Sequence, residues 1–144
     1  MSIAFRRMAV AVIVLVASLA ALAAALVAQY GFDLQPCVLC IYQRWPYAVA
    51  ALLALLSLVV PAAGRTPLLL AAATALVVGA GIAGYHVGVE QHWWAGTAAC
   101  TGTSGTPQSL AELRAQVMAA PIVRCDDVAF SLFGISMAGH NLTL

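Results

Sequence analysis

MAVAVIVLVASLAALAAALVA, residues 8–28, runs for 21 residues without a charged side chain. An α-helix needs about 20 apolar residues, at 1.5 Å of rise each, to cross a hydrocarbon core ~30 Å thick. Thr66–Val89 has the same character, interrupted only by His86. Tyr47–Gly64 is also uncharged, and it reaches spanning length if the preceding Arg44–Pro46 turn is included. Val128–Leu144 is apolar but only 17 residues long. Composition agrees: 64 % of the 144 residues are hydrophobic and 8 % are charged, where a water-facing domain carries roughly a quarter charged. The expected fold is a single-domain, all-α membrane protein, a four-helix transmembrane bundle whose last helix is short or truncated. Its helices are placed at about 8–28, 45–63, 67–89 and 128–144, joined by loops at about 29–44 and 90–127. The first apolar run exceeds the 7–15 residues of a signal-peptide core, so it reads as a retained helix. A net charge of +1 leaves no basic patch for nucleic acid.

Charge sets the expected orientation. Arg6 and Arg7 precede the first helix, and Arg65 sits in the turn between the second and third. The positive-inside rule puts both places in the cytoplasm, and leaves the loops at 29–44 and 90–127 outside. All four cysteines, Cys37, Cys40, Cys100 and Cys125, fall in those two outer loops, on the side where disulfides form and persist. One reading is purely structural: a loop closed between Cys100 and Cys125 would contribute roughly 3–4 kcal/mol in the chain-entropy model. A bridge between Cys37 and Cys40 constrains almost no chain, so its value is redox chemistry. Zinc is the other use of a CxxC, but a zinc site built from cysteines alone usually pairs two such units. The second cysteine pair here is 25 residues apart, and no metal is assigned.

The motif reads Gln35-Pro-Cys-Val-Leu-Cys-Ile-Tyr-Gln-Arg-Trp-Pro46. Arg44 lies four positions after Cys40 at the outer start of the second helix. It can snorkel to headgroups; it can also favour a nearby thiolate and hydrogen-bond the carbonyl of a membrane-dissolved acceptor. Pro46 lacks an N–H, so regular helix is expected to begin near Trp45. Cys40 and Arg44 then need not share helical spacing.

Pro36-Cys-Val-Leu-Cys-Ile-Tyr-Gln-Arg44 resembles the signature of the DsbB family of membrane disulfide-forming quinone reductases. Gly84–Glu90, Cys100-Thr-Gly102 and Arg124-Cys-Asp-Asp127 are similar to its shorter proteobacterial members. The resemblance covers almost the whole chain. It implies a multi-pass protein of the bacterial inner membrane with two redox-active periplasmic loops. Its partner would be a DsbA-like periplasmic thiol oxidase, and its cofactor a quinone, ubiquinone or menaquinone, dissolved in the lipid bilayer. Cys100 and Cys125 would form the disulfide that oxidises the partner, and Cys37 and Cys40 the one that quinone regenerates. Cys40 would be the thiolate facing the quinone and Arg44 the residue that binds or polarises it. Arg124, Asp126 and Asp127 flank the Cys100–Cys125 pair, which is therefore expected to be the water-exposed one. Family members usually continue beyond the position of Leu144.

The remaining outer features are read from pattern. Reducing a quinone consumes two protons, and His92, His86 and Glu90 are candidates to handle them near the acceptor; the alternative is an interfacial polar cluster. Trp93 and Trp94 fit an aromatic belt. Ala80, Gly84 and Gly88 form a small-residue stripe, read as a helix–helix seam. Ser109 and Glu112 fit a capping box opening a short amphipathic helix, either on the membrane surface or packed under the loop. Thr101–Gln108 reads as a mobile linker. Two alternatives remain: a vitamin K epoxide reductase-like enzyme, whose CxxC usually lies late in the chain, and a non-enzymatic membrane scaffold with structural disulfides.

Overall fold

Three long helices dominate the computed structural model, which describes residues 3–101, 106–119 and 123–143. They are α1 (Ile3–Gly31), α2 (Val38–Val59) and α3 (Ala62–Glu90), of 29, 22 and 29 residues. All three are long and apolar enough to cross a membrane. α2 lies in the middle and packs on both α1 and α3. Its buried stripe, Leu39, Gln43, Pro46, Ala50, Ala54 and Ser57, recurs every three or four residues. The buried stripe of α3 is Ala72, Gly79, Ala83, His86 and Glu90. Small residues suit helices packed in lipid, where association depends on close backbone approach rather than on escape from water. Gly79 shows the requirement directly: a Cβ there would lie 2.9 Å from Cβ of Pro46. Large apolar side chains such as Ile13, Val16, Leu52, Leu70 and Val77 point away from the bundle and are exposed, which is the surface a bilayer covers.

The small-residue seam is shifted by one residue from the expected stripe. Gly79 and Ala83 are buried in the α3 stripe, and Gly79 meets α2. Gly84 instead faces Leu142, and Gly88 makes room for Trp94, whose ring would overlap any Cβ there. Trp94 stacks on Tyr85 at a centroid distance of 6.0 Å and donates from Nε1 to the Tyr85 carbonyl. α3 ends in a Schellman arrangement: His92 has φ +59°, its N–H bonds the Val89 carbonyl, and the Trp93 N–H bonds the Gly88 carbonyl.

α2 begins seven residues earlier than Trp45. Cys37 is its N-cap, and its sulfur accepts from the Cys40 N–H at 3.3 Å. Pro46 therefore sits inside the helix, and Cys40 and Arg44 are one helical turn apart after all.

The segment expected as a fourth helix over 128–144 forms a hairpin followed by a short helix. β1 (Ser131–Leu132) pairs antiparallel with β2 (Ile135–Ser136). Phe133 and Gly134 both have positive φ, as a two-residue turn of the I′ type demands. After β2 comes a seven-residue helix (Met137–Thr143) that packs on α3. Among the described residues, then, three helices reach spanning length. Between α3 and the hairpin lie a four-residue helix (Ala98–Thr101) and a ten-residue one (Leu110–Ala119). The second is capped as expected: the Ser109 hydroxyl accepts from the Glu112 N–H, while Glu112 reaches back to the N–H of Gln108. Its Leu110, Val117 and Met118 are exposed, so they do not pack under the loop. Much of the expected linker, residues 102–105, lies outside the described residues.

Candidate active site

Both cysteine pairs meet at one end of the bundle. Cys100 and Cys125 form a disulfide with Cα atoms 5.0 Å apart, within the usual range for such a bridge. The Cys125 N–H also bonds the Cys100 carbonyl. Cys37 and Cys40 are free thiols with sulfurs 2.9 Å apart. Cys37, Leu39, Val89, Cys100 and Cys125 share one buried apolar cluster, with Cys40, Ile82, Tyr85 and Val123 packed on it. The expectation that Cys100 and Cys125 are water-exposed is not met: both are 0 % exposed. Of the neighbouring charges, Arg124 and Asp127 are exposed and Asp126, paired with Arg124, is half-buried, while the sulfurs turn inward onto the cluster.

A cavity opens beside this cluster. Cys37, Cys40, Arg44, His86 and Glu90 all line it. Arg44 donates from Nη1 to Oε1 of Gln29 on α1 at 2.6 Å, which fixes the guanidinium one turn from Cys40. His92 takes no part in lining it; it is exposed at the end of α3. Of the three proton-handling candidates, the fold brings His86 and Glu90 to the thiols and leaves His92 outside.

Three polar residues at the site escaped the sequence reading. Gln43 is 2 % exposed. Its Oε1 accepts from Asn141 Nδ2, so its Nε2 is the donor to His86 Nδ1 at 3.0 Å. That assignment leaves the ring proton on Nε2, which lies 3.6 Å from Cys37 Sγ and 3.9 Å from Glu90 Oε1. The other Glu90 oxygen accepts from Ser136, whose own oxygen accepts from the Gly139 N–H. Gln43, Ser136 and Asn141 thus tie the hairpin and last helix to the CxxC. The available signal was polarity inside apolar segments, since such residues within a membrane are expensive and tend to mark function.

This surrounding acts on Cys37. Its thiol is held well below the usual thiol range, first by its hydrogen bond with Cys40, which donates when Cys37 is the thiolate. Burial opposes that, and His86 and the Cys40 N–H reinforce it. A cysteine at a helix N-terminus with a donor on either side is poised as a nucleophile.

Comparison with known proteins places the chain in a family. The family model described as "Disulfide bond formation protein DsbB" matches residues 6–144. "Uncharacterized protein RP370" of Rickettsia prowazekii (strain Madrid E) is 31 % identical over 129 residues, covering 88 % of this chain and 74 % of that protein. "Disulfide bond formation protein B" of Herminiimonas arsenicoxydans is 38 % identical over 84 residues, covering 55 % of this chain and 50 % of that protein. No solved structure matches.

Proposed function

This chain belongs to the DsbB family of membrane proteins that act in disulfide bond formation, and from that premise we propose that it passes electrons from a soluble dithiol to a membrane quinone. The soluble partner is a thioredoxin-like, DsbA-like thiol oxidase on the periplasmic side of a bacterial inner membrane. The reaction balances as partner dithiol plus quinone giving partner disulfide plus quinol, two electrons and two protons moving together.

The observation that carries the reading is the shared burial of a Cys100–Cys125 disulfide and a Cys37–Cys40 dithiol in one cluster, beside a cavity lined by Arg44. Thiol–disulfide exchange requires a thiolate to attack a disulfide sulfur. A partner thiolate attacks Cys100 and releases Cys125. Cys125 attacks the oxidised CxxC at Cys37 and frees Cys40 beside the cavity. Resolution of the partner's mixed disulfide returns Cys100 and carries the electron pair to the CxxC. Cys37, Cys40 and Arg44 line the cavity that would hold a quinone, which would supply the two-electron acceptor for that pair. The residues fit such a group: Arg44, held by Gln29, offers a planar donor to a carbonyl oxygen, while Glu90 and His86 stand where a proton is needed.

The test is direct. Purified protein supplied with a reduced thioredoxin-like partner should reduce a soluble quinone analogue, followed by the quinone's ultraviolet absorbance, and Cys40→Ser should abolish it. Partner oxidation that proceeds equally well in the absence of quinone would overturn the reading. The position of the CxxC, at the start of α2 rather than before the last helix, favours this over a vitamin K epoxide reductase-like enzyme.

A further inference from the structure

Cys37 Sγ, Cys40 Sγ and His86 Nε2 all lie within 4.8 Å of one another. Two sulfurs and an imidazole nitrogen are the donor set of a thiophilic divalent cation. Zinc takes thiolate at about 2.3 Å and imidazole at about 2.0–2.1 Å in a tetrahedron. Those bond lengths place a sulfur and a nitrogen ligand roughly 3.5–3.6 Å apart and two sulfurs roughly 3.7–3.8 Å apart. Cys37 and His86 are already 3.6 Å apart. The two sulfurs, at 2.9 Å, must separate by roughly 0.8–0.9 Å to reach the tetrahedral spacing, within reach of a side-chain rotation. Glu90 Oε1 lies 3.9 Å from the same His86 nitrogen but outside the three-ligand cluster, so the fourth position is left to water.

Two further features favour capture. Gln43 reaches His86 Nδ1; with its amide turned over, and Asn141 turning with it, Oε1 would accept the Nδ1 proton and free Nε2 as the ligand, the role that partners of metal-bound histidines play. Cys37, His86 and Glu90 are also nearly fully buried, so little water competes for the ion. Binding would hold both sulfurs as thiolates, releasing the proton that Cys37 and Cys40 share, and two thiolates cancel the charge of the dication without any change of oxidation state.

We propose that the reduced Cys37–Cys40 pair, with His86, is an inhibitory site for a thiophilic divalent cation such as Zn²⁺. The site exists only while the CxxC is a dithiol, because a disulfide offers no thiolate. An ion there holds both sulfurs as ligands and prevents their oxidation. Binding rests on the geometry alone; the inhibitory consequence rests on the proposed quinone reaction.

The probe is Co²⁺, whose thiolate complexes absorb in the near ultraviolet and whose tetrahedral complexes give strong visible bands. Full-length Cys100→Ser/Cys125→Ser protein in detergent, with only the CxxC reducible, is titrated reduced and then oxidised. The reduced form should bind one equivalent with both signatures, and Zn²⁺ should displace it. The oxidised form should bind none. Gln43→Leu should weaken binding on the order of 10–100-fold, as loss of such a ring-orienting partner does elsewhere, and His86→Gln should weaken it further. Wild-type protein with Cys100–Cys125 intact supplies the same redox contrast without substitutions. Absence of the thiolate band in reduced protein, its persistence after oxidation, or unchanged affinity in His86→Gln would each overturn the site. None of these readings involves quinone or partner, so they stand apart from the test of the proposed function. If metal binds as described, Zn²⁺ should also stop quinone reduction, reversibly with chelator; full activity in the Zn²⁺-loaded protein would remove the inhibitory role.

Discussion

Replacing Gln43 by Leu removes both ends of a buried bridge while keeping nearly the same volume. Gln43 is 2 % exposed and partners His86 Nδ1 on α3 and Asn141 Nδ2 on the last helix. Each buried polar group left without a partner costs about 1–3 kcal/mol. Two such groups give roughly 2–6 kcal/mol, and the added apolar burial of Leu offsets about 1–2 kcal/mol of that. The two ranges combine to an expected net loss of up to about 5 kcal/mol, which at its upper end is a large part of the ~5–15 kcal/mol that holds a typical domain folded. Denaturant unfolding in detergent, followed by tryptophan fluorescence, measures it. The decisive version is a double-mutant cycle with Asn141→Leu. Residues that share a hydrogen bond should show a coupling of ~0.5–3 kcal/mol, whereas independent sites add to within ~0.3–0.5 kcal/mol. Additive losses in the cycle would refute the bridge and with it the argument that Gln43 orients His86.

Four further outcomes are expected. Arg44→Ala should weaken quinone reduction, and Arg44→Lys should restore it only in part because a point charge lacks the planar fork; unchanged apparent affinity and turnover in Arg44→Ala leaves headgroup contact as its sole role. On a non-reducing gel, Cys125→Ser should trap a Cys100–partner mixed disulfide, because no internal thiol remains to exchange with Cys37; a trapped species running through Cys37 reverses the assignment of the pairs. A single cysteine placed at exposed Gln91 in a cysteine-free background should react with an impermeant maleimide in intact spheroplasts, and one at Ala63 only after lysis; the opposite pattern inverts the topology. Alkylation of Cys37 in the reduced protein should persist as pH falls below the usual thiol range, because its pKa is lowered; loss of reactivity around pH 8–9, as for an ordinary thiol, contradicts that.

The three spans were legible because a run such as Met8–Ala28 has one physical explanation at that length. The start of α2 was not. Pro46 suggested a first-turn proline, yet Cys37 caps the helix nine residues earlier with its sulfur, a use of cysteine that propensity does not advertise. The seam was displaced because Ala80, Gly84 and Gly88 are as small as Gly79 and Ala83, and composition alone cannot say which row meets α2 and which meets Leu142 or Trp94. The hairpin at Ser131–Ser136 hides within an apolar run, its turn being Phe-Gly rather than Asn-Gly. The four cysteines, Arg44, His86 and Glu90 could be singled out because their chemistry is unusual in so apolar a chain. Gln43, Ser136 and Asn141 could not be joined to them in advance, since their meaning lies in contacts across as many as 98 positions of sequence.

The complete burial of Cys100 and Cys125 turns the supply of electrons into a question of populations. A thiolate cannot reach either sulfur until the loop lifts from Leu39 and Val89. If the lifted form makes up a fraction f of the molecules, a reagent indifferent to the loop sees its rate multiplied by f; a protein that grips the lifted loop raises that fraction by its own binding energy. The cover therefore acts as a filter on donors. Small thiols would be held to a slow leak, while a protein donor that recognises the opened loop supplies its own access, so the electron path stays coupled to that partner.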